Sequence, residues 1–188
     1  MSEKLPVIAI VGRPNVGKSA LFNAILKHRI SIVHEQCGVT RDSIVAPAEY
    51  RGQAFTLVDT GGLGTLNRER NVDLFDGMIR EQVSKIVEEA NALIWVLNSQ
   101  EGITVQDEEV ADFLRKSGKP VVLCANKADN QILAKNALAE FAALGFEDIK
   151  PTSCTHTSGI DDLMDKVLTF IPKVEVKEEK QGLRIAVV

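Results

Sequence analysis

Cysteine is scarce in this chain. Its 188 residues hold three, Cys37, Cys124 and Cys154, widely spaced and odd in number. That argues against a disulfide framework and makes a reducing cytosol the simplest setting. Histidine is equally rare, and His28, His34 and His156 show no zinc-like spacing with one another or with the cysteines. No apolar run reaches the ~18 residues that a membrane span needs. The opening Met-Ser-Glu-Lys-Leu-Pro runs straight into a strand pattern without a signal-peptide profile, so the expected location is cytoplasmic. An excess of positive charge is missing too. Lys and Arg number 22 against 26 Asp and Glu, for a net charge of -4. This argues against a broad nucleic-acid face.

What remains is a chain with 45% hydrophobic and 26% charged residues, enough for one soluble domain with a proper core. Val7 to Val11 is a short apolar run that meets a glycine-rich turn. Lys18 to Lys27 then sets Leu21, Phe22, Ile25 and Leu26 on one helical face. Residues 29–43 lack periodicity and read as a loop. Ser43 to Tyr50 and Gln53 to Val58 read as a hairpin turning at Arg51-Gly52. Asp59 to Gly77 is polar and glycine-rich. Beyond it helices and strands alternate: a helix from Met78 to Ala90, a strand from Ala92 to Asn98, a helix from Val105 to Lys116 and a strand from Pro120 to Ala125. A helix from Ile132 to Leu144, a strand from Ile149 to Thr152 and a helix from Ile160 to Phe170 complete the pattern. The expected fold is a doubly wound α/β domain, its sheet mostly parallel with one antiparallel strand from the 43–58 hairpin. Its ligand belongs at the edge where the strands end.

The domain is expected to occupy residues 1–172, followed by a charged linker over 173–182. Ile185-Ala186-Val187-Val188 then matches Ile8-Ala9-Ile10-Val11, the run that precedes Gly12. Residues 183–188 therefore read as the start of a second, truncated domain of the same kind.

The chemistry-bearing motifs fall just after strands. Gly12 to Ser19 fits G-x-x-x-x-G-K-[ST], the phosphate loop of the P-loop NTPases. Its glycines let successive N–H groups point at phosphate oxygens, and the helix that follows adds its positive end. Gly12, Asn15, Val16, Gly17, Lys18, Ser19 and Ala20 form the expected phosphate-binding set. Lys18 neutralises the β- and γ-phosphates, and the Ser19 hydroxyl ligates magnesium. Asp59-Thr60-Gly61-Gly62 ends the second hairpin strand. There Asp59 holds magnesium through water and the Gly62 N–H senses a γ-phosphate. In isolation that motif would be a plain Asp-Gly turn.

Asn126-Lys127-Ala128-Asp129 chooses the base. The Asp129 carboxylate accepts two hydrogen bonds from the N1–H and exocyclic amine of guanine, which adenine cannot supply. The Lys127 stem lies on the base, and Asn126 ties this loop to the phosphate loop. Backbone N–H groups at Ser153 and Cys154 are placed to read guanine O6. Thr40, in an irregular stretch, has a hydroxyl suited to the magnesium shell; by spacing alone it is equally an ordinary loop threonine.

The ordered set GRPNVGKS, GVTRD, DTGG, NKAD and PTSC resembles the GTPases of the Era-like group, and more closely the N-terminal G domain of the EngA/Der family. The resemblance covers residues 5–172. It implies a tandem pair of G domains, GTP and GDP as ligands with magnesium, and a role in assembling the large ribosomal subunit through ribosomal RNA and the subunit itself. It also implies magnesium ligation by Ser19, Thr40 and Asp59, a γ-phosphate sensor in Asp59 and Gly62, and a guanine reader in Asn126, Lys127 and Asp129.

Two positions depart from the usual pattern. Leu63 stands where many switch GTPases place a glutamine that orients the attacking water. The resemblance then suggests potassium held by Asn15 and first-switch carbonyls as the catalytic charge. Lys18, Asn15, Thr40 and Gly62 are accordingly the expected catalytic set, while Arg41 reads as a solvated or RNA-contacting arginine. Cys154 replaces the family's customary alanine, which leaves a backbone N–H contact intact. Two readings from other classes stay open: a phosphotransferase using the same loop, against which NKAD argues, and a nucleotide-dependent interaction switch with negligible hydrolysis.

Overall fold

The structure is a computed structural model of the chain, and it describes residues 5–27, 38–40, 43–61 and 77–174. Seven strands form one sheet: β1 (Val7–Val11), β2 (Gly38–Thr40), β3 (Ser43–Tyr50), β4 (Gln53–Asp59), β5 (Ala92–Asn98), β6 (Val121–Asn126) and β7 (Ile149–Pro151). Among the described residues five α-helices accompany them: α1 (Lys18–Lys27), α2 (Gly77–Glu89), α3 (Val105–Ser117), α4 (Gln131–Phe141), which runs on into a short 3-10 turn over Ala142–Leu144, and α5 (Ile160–Leu168). The strand order is β2-β3-β4-β1-β5-β6-β7. Neighbours from β4 to β7 pair parallel, and β3 alone runs against the rest. The expected doubly wound sheet with one antiparallel strand is therefore present.

The strands read as unbroken apolar runs because both sheet faces are covered. Alternate residues then serve opposite layers. Ile8, Ile10, Ala92, Ile94, Val96, Val122 and Cys124 pack with Leu21, Phe22 and Ile25 of α1 and with Leu163, Met164 and Val167 of α5. Ala9, Val11, Leu93, Trp95, Leu97 and Leu123 pack with Val83 and Val87 of α2, Val110 and Leu114 of α3, and Phe141 of α4. Trp95 is fully buried core, its ring edge-on to Phe146 at 5.2 Å. Truncating one of the large side chains in these layers costs ~2–5 kcal/mol.

The β3–β4 hairpin turns through Arg51 and Gly52, both at positive φ (51° and 79°), the geometry of a two-residue turn matched to strand twist. Pro47 is tolerated inside β3 because, among the described residues, β2 pairs only with Ser43 to Val45 and no ladder partner lies on the outer side of Pro47. One expectation needs correction. The stretch 29–43 is not wholly loop, since Gly38–Thr40 forms β2 against β3. Three residues without a helical or alternating pattern leave no periodic signal; the pairing comes from the exposed edge of β3. At the other end the chain continues past 172 along the sheet. The Gln53 amide donates to the Pro172 carbonyl at 3.3 Å, and the Ala54 N–H donates to the Val174 carbonyl at 3.0 Å. The rest of the proposed linker and the 183–188 repeat lie outside the described residues. Among the described residues no helix is long and apolar enough to cross a membrane.

Candidate nucleotide site

Because β1, β4, β5, β6 and β7 run the same way, the loops that follow them gather on one edge. The phosphate loop bridges β1 and α1. Gly12 has φ 144°, and a Cβ there would stand 2.5 Å from the Val96 carbonyl oxygen. Gly17 has φ 101°, and a Cβ there would collide with the Asn126 amide nitrogen. Each glycine thus marks a close approach of the loop, one to β5 and one to the end of β6. Asn15 sits between them at φ 65°, a left-handed conformation that asparagine accepts readily.

Lys18 opens α1 with its side chain turned back into the loop. Its Nζ donates to the Gly12 and Arg13 carbonyls, each at 2.8 Å. Burial brings its pKa down to about 8; the Asp59 charge opposes this and Arg13 adds to it. A negatively charged ligand beside Nζ would reverse that shift.

The second loop supplies oxygens. Asp59 is fully buried at the end of β4. One carboxylate oxygen accepts from the Ser19 hydroxyl at 2.7 Å, the other from the Gly61 N–H at 2.7 Å. The Thr60 hydroxyl donates to the Ile10 carbonyl at 2.8 Å and locks this loop to β1. A Cβ on Gly61 would come within 2.9 Å of Asp59 and 3.1 Å of Ser19, so the cradle is closed to side chains.

The third loop reaches back to the first. Asn126 is 2% exposed, and its amide donates to the Val16 carbonyl at 3.0 Å. Lys127, at φ 62°, reaches across to the Asn15 carbonyl at 3.3 Å. Asp129 is exposed, and its two oxygens accept from the Ser153 hydroxyl at 2.5 Å and the Gln100 amide at 3.2 Å. Here the expectation for Ser153 changes. Its N–H is committed to the Ser158 carbonyl at 3.0 Å, so it is not free to read a base; the side chain instead orients Asp129. The Cys154 N–H makes only a long contact of 3.4 Å with Asn126 and stays within the site. Burial, and after it the Asp129 charge, pushes the Cys154 thiol up to about 11, as suits an inert small side chain.

Ser19, Asp59, Lys18, Asn126, Lys127, Asp129 and Cys154 are thus brought to one edge. Val16 is buried beneath the loop, and Ala20 is exposed on α1. Thr40 in β2 pairs with Ser43 of β3, and its side chain lies outside the described residues, as do Gly62, Leu63 and Arg41. Sequence reasoning missed four groups around the loop. Arg13 is 7% exposed and bonded to Glu101 and Asp107, and Gln100 meets Asp129. For Asp107 a signal existed: Thr104-Val105-Gln106-Asp107 is a capping box, and both of its reciprocal bonds form. Arg13 occupies a free position of its motif and carried no signal.

A family model described as 50S ribosome-binding GTPase matches residues 7–127. The chain is 46% identical over 173 residues to "GTPase Der" of Bacillus cytotoxicus, covering 92% of this chain and 38% of that one. It is 44% identical over 187 residues to "GTPase Der" of Maridesulfovibrio salexigens, covering 97% of this chain and 41% of that one. The chain thus spans about two fifths of the length of these relatives. Among solved structures it resembles an Aquifex aeolicus Era variant bound to GDP and aluminium fluoride, with TM-score 0.70 and 28% identity over 92% of this chain and 58% of that one. It also resembles Era in complex with MgGDPNP and a segment of 16S ribosomal RNA, with TM-score 0.68 and 28% identity over 92% of this chain and 59% of that one.

Proposed function

Since the chain belongs to the family of 50S ribosome-binding GTPases, we propose that it binds GTP and GDP at the edge just described and hydrolyses GTP to GDP and phosphate. The observation that carries this reading is the Asn126 bridge. One buried amide joins the phosphate loop, through Val16, to the loop that presents Asp129. A phosphate cradle and a guanine-reading carboxylate thereby become one site.

Magnesium fits the donors present. The Ser19 hydroxyl and Asp59 carboxylate are hard oxygens already 2.7 Å apart, in a cradle that excludes side chains. When bound, the ion supplies positive charge to the β- and γ-phosphate oxygens. Lys18 exchanges its two carbonyl partners for phosphate oxygens and regains its full charge there. Loop N–H groups and the first turn of α1 hold the phosphates in place. Asp129 keeps its contact to Ser153 while accepting from guanine. No general base is needed, because positioning and charge supply the barrier reduction.

Asn15 is exposed at the mouth of the loop, next to where phosphate would lie, and this supports its role toward potassium. In this reading Thr40 completes the magnesium shell, and Gly62 with Asp59 senses the γ-phosphate. We further place the chain as the first G domain of a tandem pair, acting in large-subunit assembly. The likeness of 185–188 to 8–11 and the names of the family and of the relatives support that placement. Single-turnover hydrolysis of GTP, with and without large ribosomal subunits, tests it. Phosphate release that the subunits accelerate is expected; no release in either condition would leave only a nucleotide-dependent switch.

A further inference from the structure

We infer that Arg13 is a positioning residue that braces the phosphate loop against the β5–α3 connection and, through that connection, sets the guanine reader. The inference rests on the guanine-nucleotide reading above. Arg13 lies inside the phosphate loop, yet its charge does not point at the phosphate site. Its Nε donates to Asp107 at 3.1 Å, and its Nη2 donates to Glu101. Its carbonyl meanwhile accepts from Lys18 Nζ at 2.8 Å. The same residue therefore holds the phosphate-binding lysine with its backbone and a distant element with its side chain.

That element is a hub. Asn98 ends β5 almost fully buried; its side chain accepts from the Gln100 N–H, and its carbonyl accepts from the N–H groups of Glu101 and Gly102. Ser99 donates to the Asn126 carbonyl at 2.9 Å. Gln100 reaches Asp129 at 3.2 Å, and Glu101 receives Arg13. The Ile103 N–H donates to Glu140 of α4 at 3.0 Å. Asp107 then caps α3 by accepting from the Thr104 N–H and hydroxyl. Ser99, Gln100 and Glu101, three consecutive residues, thus touch the Asn126 strand, the base reader and the phosphate loop in turn.

Arginine is the side chain suited to this place. Its planar fork meets two carboxylates at once, whereas a lysine ammonium is a single point with different geometry. The brace is also stiff. Arg13 is 7% exposed and Asp107 is wholly buried, with its Oδ1 lacking any hydrogen-bond partner among the described residues. Asp107 depends on Arg13 for its countercharge, so the pair separates only at high cost. Glu101 at the outer end is half-exposed, and its Arg13 hydrogen bond holds its carboxyl below the usual range.

The test uses the 188-residue chain and fluorescent mant-GDP, with GDP and IDP as competitors. IDP lacks the exocyclic amine that Asp129 reads. Arg13→Lys should release mant-GDP about tenfold faster, the change that losing about one hydrogen bond's worth of binding gives. It should also narrow the GDP-to-IDP affinity ratio. Glu101→Gln, at the exposed end of the brace, should shift both in the same direction by a smaller factor and carries the test if Arg13→Lys does not fold. Leu163→Ala, in the core on α5, supplies a comparable loss of melting temperature without touching the brace and should leave the ratio unchanged. Wild-type release rates and ratio in the variants at 13 and 101, or shifts no larger than those of Leu163→Ala, would overturn the brace. Failure of the unmutated chain to bind mant-GDP would instead overturn the nucleotide reading, and the brace with it.

Discussion

Replacing Asn126 with alanine removes the buried side chain that joins the two halves of the site, leaving only the exposed Lys127 contact to the Asn15 carbonyl. Its amide donates to the buried Val16 carbonyl at 3.0 Å, and its oxygen accepts the Cys154 N–H at 3.4 Å. The first is a full hydrogen bond and the second a marginal one. Leaving the Val16 carbonyl unpaired costs ~1–3 kcal/mol, and the weak contact adds a fraction of that. A total of about 1–4 kcal/mol lowers the melting temperature of a domain this size by about 2–16 °C. The isosteric Asn126→Asp should be worse than alanine, since a carboxylate cannot donate to Val16 and sets a buried negative charge against its carbonyl. Both variants should release mant-GDP faster than the parent. Thermal melts without nucleotide and stopped-flow dissociation read the two effects. Aspartate behaving better than alanine, or a parental melting temperature in both, would refute the bridge.

Three further outcomes follow from the same geometry. Asp129→Asn turns an acceptor pair into one acceptor and one donor, so affinity should move from GDP toward XDP, whose C2 carries an oxygen; GDP binding should weaken at least about tenfold, and undiminished GDP affinity in competition assays would contradict Asp129 as the reader. Cys154, with its thiol pushed up to about 11, should react with iodoacetamide hardly at all at neutral pH in a Cys37→Ser background. Its rate should climb as pH rises toward that value and fall when GDP is added, whereas rapid labelling at pH 7 would show an activated thiol. If Asn15 holds potassium, GTP turnover should be faster in potassium than in sodium, and Asn15→Ala should erase the difference; equal rates in the two salts would remove the ion from the mechanism.

The phosphate loop was legible because its chemistry is local. Two glycines and a lysine at fixed spacing after an apolar run admit few other uses. Asp59 and Asp129 were legible once the strands ahead of them were placed, since both sit where a parallel strand ends. The brace was not legible, because Arg13 and Asp107 are 94 positions apart and only the sheet order brings them together. β2 escaped for a related reason: three residues owe their strand conformation to the open edge of β3. For Ser153 the expectation named the backbone N–H, whereas the structure engages that N–H with Ser158 and turns the hydroxyl to Asp129. The bridge to Ser158 that occupies its N–H depends on how the chain turns after β7, with Thr157 at φ 54°.

The central claim is that a single site holds phosphates with one loop and reads guanine with another. Isothermal titration of the chain with GDP and with ADP, in magnesium, tests it most directly. One GDP should bind per chain, with ADP at least about a hundredfold weaker, because Asp129 would lose both of its donors. Equal affinity for the two nucleotides would contradict the account.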